Sequence, residues 1–217
     1  MTQQPNLDQP PAAFWEEVYR PHRDSPAIWG TRVNPLLSEV AAGLKAGDAL
    51  DLGCGAGGDA VWLARRGWRV TAVDISTTAI EQLRYCARDQ GLDRLVTAEH
   101  HDLAYSFPEG EFDLVSAQYL HTPYALPRSA VLRTGAHALR PGGRLLIVDH
   151  GSIAPWSWNQ NPDVQRPTPD EIHAELALPA STWTIERSDR PRREANGPDG
   201  QTAVVTDHVL LVRRTAP

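Results

Sequence analysis

The sequence predicts an α/β fold with a seven-stranded, mostly parallel sheet, helices on both faces and an antiparallel C-terminal strand pair. Three observations carry this. Short apolar runs alternate with longer amphipathic stretches from residue 47 to about 150, the pattern of repeated strand–helix units. Each amphipathic stretch is bounded by a capping residue or by Gly and Pro punctuation. Two strand-like runs near the C-terminus, separated by the turn-rich Asn196-Gly197-Pro198-Asp199-Gly200, read as antiparallel neighbours that close the sheet edge.

Before residue 47, Phe14, Trp15, Tyr19 and Trp29 stand among prolines at 5, 10, 11, 21, 26 and 35. A short helix is expected over Ala12–Tyr19, stopped by Pro21. A second is expected over Pro35–Leu44, where Leu36, Leu37, Val40, Ala41 and Leu44 recur at helical spacing. Strands follow at Ala49–Leu52, Arg69–Val73, Val96–His100, Phe112–Ser116 and Arg144–Asp149. Helices lie near Asp59–Arg66, Thr77–Asp89 and Arg128–Leu139. Gly67 follows the first of these helices, Ser76 caps the second, and Pro141-Gly142-Gly143 ends the third. Thr168-Pro169-Asp170-Glu171 is a capping box that opens a helix through about Leu178. Thr182–Arg187 and Ala203–Val212 are the closing strands.

Composition narrows the function classes. The chain has 217 residues, 41% of them hydrophobic, and a formal charge of −6, which fits one domain with a full-sized core. Aliphatic runs such as Leu145–Val148 fall far short of the roughly 20 residues that cross a bilayer, so no membrane span is expected. The polar start, Met1 to Asp8, carries no secretory pattern, and a cytoplasmic location is expected. Cys54 and Cys86 form neither a disulfide framework nor a zinc pair. The acidic balance argues against a nucleic-acid partner. Arg190, Arg192 and Arg193 are flanked by Asp189 and Glu194 and read as a solvated loop.

The strongest chemical signal is Leu50-Asp51-Leu52-Gly53-Cys54-Gly55-Ala56-Gly57-Gly58-Asp59, at a strand–helix junction. Glycines there let the backbone approach a ligand, and free N–H groups at the helix start point into the same space. Gly53, Gly55 and Gly58 also satisfy the spacing of a dinucleotide fingerprint. Asp51, two residues earlier, would repel a pyrophosphate and attract an ammonium or sulfonium group.

Asp51-x-Gly53-x-Gly55-x-Gly57 resembles the first motif of class I S-adenosylmethionine-dependent methyltransferases, whose fold is Rossmann-like. The resemblance runs in order over residues 47–150. Ala72-Val73-Asp74-Ile75-Ser76 resembles the family's second strand, whose terminal acid holds the ribose hydroxyls. His101-Asp102-Leu103 resembles the segment whose Asp lies near the adenine. Phe112–Ser116 and Leu139–Leu145 resemble the fourth strand and the turn into the fifth. The compact length and Trp-rich start are similar to the thiopurine and tellurite-resistance branch.

The resemblance implies S-adenosylmethionine as cofactor, held by Asp51, Gly53, Cys54, Gly55, Gly57, Asp74, Ile75, Asp102, Leu103 and Gln118. No redox role is assigned to Cys54. In the cap, Trp29 or Tyr19 would shield the sulfonium and Arg32 would pair with the methionine carboxylate. The chain then divides into a helical cap (1–46), a cofactor-binding core (47–150) and a substrate-side loop, helix and closing strands (151–217).

Ligands in an open α/β sheet sit outside the carboxyl ends of the strands. His121 and His150, at the exits of the fourth and fifth strands, are therefore the candidate bases for an acceptor. Trp156 and Trp158 are candidates for an aromatic wall. The polar-Pro-Pro-aromatic motif of amino-modifying nucleic-acid enzymes is absent from the fourth-strand exit. Only Asp149 is available where a magnesium-dependent enzyme needs several carboxylates, so no metal is expected. The expected partner is a small-molecule methyl acceptor. The acceptor atom and the oligomeric state stay open, as do a nicotinamide-dependent oxidoreductase and a non-catalytic S-adenosylmethionine-binding module.

Overall fold

In the computed structural model the described residues are 7–20, 32–157, 160–161, 166–197 and 200–215. Helices are α1 (Pro11–Tyr19), α2 (Pro35–Ala42), α3 (Gly58–Ala64), α4 (Thr77–Asp89), α5 (Arg128–His137) and α6 (Pro169–Leu176). Strands are β1 (Asp48–Leu52), β2 (Arg69–Asp74), β3 (Val96–His100), β4 (Phe112–Gln118), β5 (Leu139–His150), β6 (Trp183–Asp189), β7 (Arg192–Asn196) and β8 (Thr202–Arg214).

Seven strands lie in the order β3-β2-β1-β4-β5-β8-β6, and β7 also pairs with β8. The first five are mutually parallel, while β8 runs antiparallel to β5, β6 and β7. The predicted α/β sheet with its antiparallel closing pair is therefore present. Strand order reverses between β1 and β4, and the carboxyl ends on either side of that switch are where an open α/β sheet binds its ligand.

Alternation along the strands builds two buried layers. Ala49, Val70, Ala72, Leu114, Leu146, Val148 and Val209 pack with α2, α3 and α4 residues such as Leu37, Leu63 and Leu83. Leu50, Leu52, Val115, Leu145, Ile147 and Leu210 pack on the other face with Leu132, Ile172 and Leu176 of α5 and α6. A strand buried on both sides reads as a continuous apolar run, which is what Leu145–Val148 is.

Two regions differ from expectation. β5 starts at Leu139 rather than Arg144, and α5 ends at His137. Phe112 pairs with Leu139 and Leu114 with Arg144, so an irregularity in the ladder absorbs Pro141-Gly142-Gly143 inside the strand. The second difference is β7, an additional strand. It pairs with Thr202–Thr206, whereas β6 pairs with the later half of β8. The two share one edge, interrupted at Arg190-Pro191, where Asp207 N donates to Pro191 O. The expected turn at 196–200 thus joins β7 to β8, and residues 198–199 lie outside the described residues.

The capping box of α6 forms as predicted, with Glu171 N donating to Thr168 Oγ1 and Thr168 N to Glu171 Oε2. Among the described residues, no helix is long and apolar enough to cross a membrane.

Candidate active site at the carboxyl ends of the strands

The chain leaves β1 through a loop folded back onto β2. Gly53 N and Cys54 N both donate to Val73 O at 2.9 Å. Gly55 N donates to Asp74 Oδ2 at 3.0 Å, and Ser76 N to Asp74 Oδ1 at 2.9 Å. The Asp74 carboxylate therefore ties the glycine loop to the start of α4. Gly55 has φ +52°, and a Cβ there would lie 2.9 Å from the Tyr19 hydroxyl. Both backbone conformation and space demand glycine at this point.

Three acids surround the loop. Asp51 is 2% exposed, and its Oδ2 has no hydrogen-bond partner. Burial, then the charges of Asp59 and Asp74, push its carboxyl well above the usual range. Asp59 accepts from Asn34 N at 2.6 Å. Burial lifts it to about 6 despite that bond. Asp74 is also raised by burial, against the pull of its backbone donors. Burial raises the thiol of Cys54, with Asp74 and Asp51 adding to the effect. A concentration of buried acid with one unpartnered oxygen suits a cationic ligand.

Helix α1 lies against this loop. Tyr19, buried, has its hydroxyl pKa raised well above the ordinary value by burial and then by the charge of Asp74. Glu16 accepts from the backbone N–H groups of Thr77 and Thr78, so α1 supplies an N-terminal cap to α4. At its other end, Phe14 packs edge-on against Tyr124, with ring centroids 5.6 Å apart.

The β4 and β5 exits build a second polar cluster beside the first. A Cβ at Gly53 would lie 2.8 Å from Leu120 Cδ1, so the two loops adjoin. His121 Nε2 lies 3.1 Å from Asp149 Oδ1. Arg128 Nη2 donates to both oxygens of Asp149 at 2.7 and 2.6 Å, and Arg128 Nε donates to Leu120 O. Burial works to raise Asp149, but the His121 contact and the Arg128 charge hold its carboxyl below the ordinary range. His150 stacks on Tyr119 with centroids 4.2 Å apart, and burial followed by repulsion from His121 pulls it down to about 4. The Tyr119 hydroxyl donates to Asp207 Oδ1 at 2.9 Å and accepts from Arg193, which pairs with Asp207 at 2.6 Å.

Residues 49–143 match the family described as the methyltransferase domain. Over that segment the chain is similar to methyltransferases. It is 37% identical over 127 residues to methyltransferase GfsG of Streptomyces halstedii, covering 55% of this chain and 44% of that protein. It is also 37% identical over 133 residues to the sarcosine/dimethylglycine N-methyltransferase of Halorhodospira halochloris, covering 58% and 44%. The chain thus spans less than half the length of these two curated relatives. Among solved structures, it is similar to one from work on the conversion of a disulfide bond into a thioacetal group during echinomycin biosynthesis. That match has a TM-score of 0.69 at 27% identity and covers 94% of this chain and 91% of the other. These relatives do not single out the thiopurine and tellurite-resistance branch.

Within the matched segment, Asp51, Gly53, Cys54, Gly55, Gly57 and Asp74 come together at one loop, next to half-buried Ile75. Asp102 Oδ1 accepts from Ala104 N, making a local turn, and Leu103 packs against the layer that contains α5. Gln118 donates to Ser116 Oγ and keeps a buried Oε1 without a partner. Arg32 is exposed ahead of α2, while Trp29 and Trp158 lie outside the described residues. Asp59 is more than the first-turn residue its position suggests, because it also anchors the backbone entering α2. Arg128 and Asp207 carry no motif in the sequence, and Arg193, expected in a solvated loop, instead lies half-buried in β7 and pairs with Asp207. Arg128 opens α5 after the β4 exit, while the pairing of β8 with β5 and of β7 with β8 brings Asp207 and Arg193 to the site.

Proposed function

We propose that the chain transfers the methyl group of S-adenosylmethionine to a small-molecule nucleophile. The observation that supports this best is the acid-rich glycine loop, where the buried and unpartnered Asp51 oxygen suits a cation and not a pyrophosphate. That feature counts against the nicotinamide reading. In the proposed site Gly53, Cys54, Gly55 and Gly57 form the cradle. Asp74, whose oxygens each retain a lone pair beyond their backbone bonds, and Ile75 hold the ribose. Asp102, Leu103 and Gln118 line the adenine, and Arg32 and Trp29 face the methionine end. Tyr19 covers the loop.

When bound, the cofactor supplies a methyl group already activated by its sulfonium, so the protein's task is alignment and exclusion of water. The cap performs the second task through Glu16, Tyr19 and Phe14. His121 and His150 face the acceptor. The acidic balance of the chain disfavours a nucleic-acid acceptor.

The test is calorimetric titration with S-adenosylmethionine, its demethylated product and NADH side by side. Micromolar binding of the first two and none of NADH is expected; binding of NADH alone overturns the assignment. Tight cofactor binding with no turnover across thiols, amines and phenols would favour a non-catalytic binding module.

A further inference from the structure

The β4 and β5 exits hold a complete set of parts for moving a proton. Asp149 is 1% exposed, paired with Arg128 and in contact with His121, whose side chain is 38% exposed. An ionised carboxylate only accepts hydrogen bonds, so the ring nitrogen that faces it must carry a hydrogen. In a neutral imidazole the other nitrogen then holds a lone pair. Here the facing nitrogen is Nε2, which leaves Nδ1 as the acceptor. Arg128 fixes Asp149 and ties itself to Leu120 O, one residue before His121. The same strand exit adjoins the glycine loop at Gly53.

We propose that Asp149 and Arg128 are positioning residues that hold His121 as a general base with its lone pair on Nδ1, and that the acceptor is a small molecule bearing a removable O–H or S–H proton. This rests on the methyltransfer reading above. The proton of the acceptor passes to Nδ1, and the electron pair left on oxygen or sulfur forms the new bond to the methyl carbon. The carbon–sulfur bond of the donor breaks with its pair staying on sulfur, which discharges the sulfonium. The imidazolium then loses its proton to solvent across its exposed edge. His150, stacked on Tyr119, serves as a wall beside the base. An acceptor that already has a free lone pair, such as a tertiary amine, has no use for this arrangement.

Nitrogen NMR of the intact protein labelled in its histidines reads the tautomer directly, with His121→Gln identifying the signal. The expected result, over the pH range in which the ring is neutral, is an unprotonated Nδ1 and a protonated Nε2 in the wild type, with that preference lost in Asp149→Asn. A neutral ring with its hydrogen on Nδ1 in the wild type overturns the proposal, and this readout stands even if the Asn variant does not fold. In turnover with S-adenosylmethionine and a graded series of substituted phenols and thiophenols, His121→Gln should lose roughly 100-fold or more in kcat, most for the least acidic acceptors. Its affinity for S-adenosylmethionine should not change. Failure of the wild type to bind S-adenosylmethionine sinks the methyltransfer reading itself, whereas a wrong tautomer sinks only the role of His121.

Discussion

Asp74 accepts from Gly55 and Ser76 while buried, so its replacement has two separable effects. Asp74→Ala strands two backbone N–H groups, each at about 1–3 kcal/mol when left unsatisfied. At roughly 2–4 °C per kcal/mol for a domain of this size, a clear fall in Tm is expected. Calorimetry should also show affinity for S-adenosylmethionine weakened by at least about tenfold, and unchanged affinity would refute the ribose role. Asp59 gives a pH signature. Its folded-state pKa is raised to about 6, so the folded protein holds a proton that the unfolded chain releases near pH 4. The cost of burying Asp59 therefore grows as pH rises from about 4 to about 6 and is constant above. Relief of that cost on acidification is on the order of 1–3 kcal/mol. Urea midpoints compared between wild type and Asp59→Asn should show this slope only in the wild type; parallel curves would count against it. The glycines, Asp51 and Asp59 were visible in the sequence because they are local to the β1–α3 junction, and Asp74 because it ends β2. Their mutual contacts with Tyr19 and Asn34 were not, because these span a cap and a loop with no periodic signal.

Among the elements, α1 is held by few, specific attachments. Glu16 caps α4, Phe14 meets Tyr124, and the Tyr19 hydroxyl sits against Gly55. Loss of an N-cap acceptor costs about 1 kcal/mol. Glu16→Ala should therefore loosen α1 with a small fall in stability. Hydrogen exchange should rise in residues 11–19 and at the start of α4 and not in β1 or β4; a uniform rise would mean that Glu16 supports the whole fold instead. Element prediction succeeded where burial imposes a period. β1, β2, β3 and β4 lie within two residues of their expected ends, since one layer or both layers of the core require apolar residues there. It failed at β7, where Arg192, Arg193 and Glu194 form an edge with little burial, and charge reads as loop. It also misplaced the start of β5, because Pro141-Gly142-Gly143 is turn chemistry that the ladder absorbs as an irregularity.

For the whole molecule, the parallel order of β1, β4 and β5 decides what the site can be. His121 and Asp149 are 28 positions apart in the sequence and belong to different strand exits; the pairing of Gln118 with Val148 makes them neighbours. Topology of this kind was legible only through the family resemblance, while the partner of His121 needed the register. The same geometry places the glycine loop, α1 and the β4 exit in mutual contact, so a ligand at the loop should stabilise all three. Binding to the folded state alone adds about 2.7 kcal/mol at 100 times Kd. For a chain of this length that corresponds to a rise in Tm of roughly 5–10 °C. Thermal unfolding with saturating S-adenosylmethionine should show that rise, with added exchange protection in residues 11–19 as well as 53–58. If protection were confined to 53–58, the cap would not close on the cofactor and Tyr19 would lose its covering role. A rise with NADH and none with S-adenosylmethionine would mean that the acid-rich loop does not select a cation, and Asp51 would then need a different explanation for being buried without a partner.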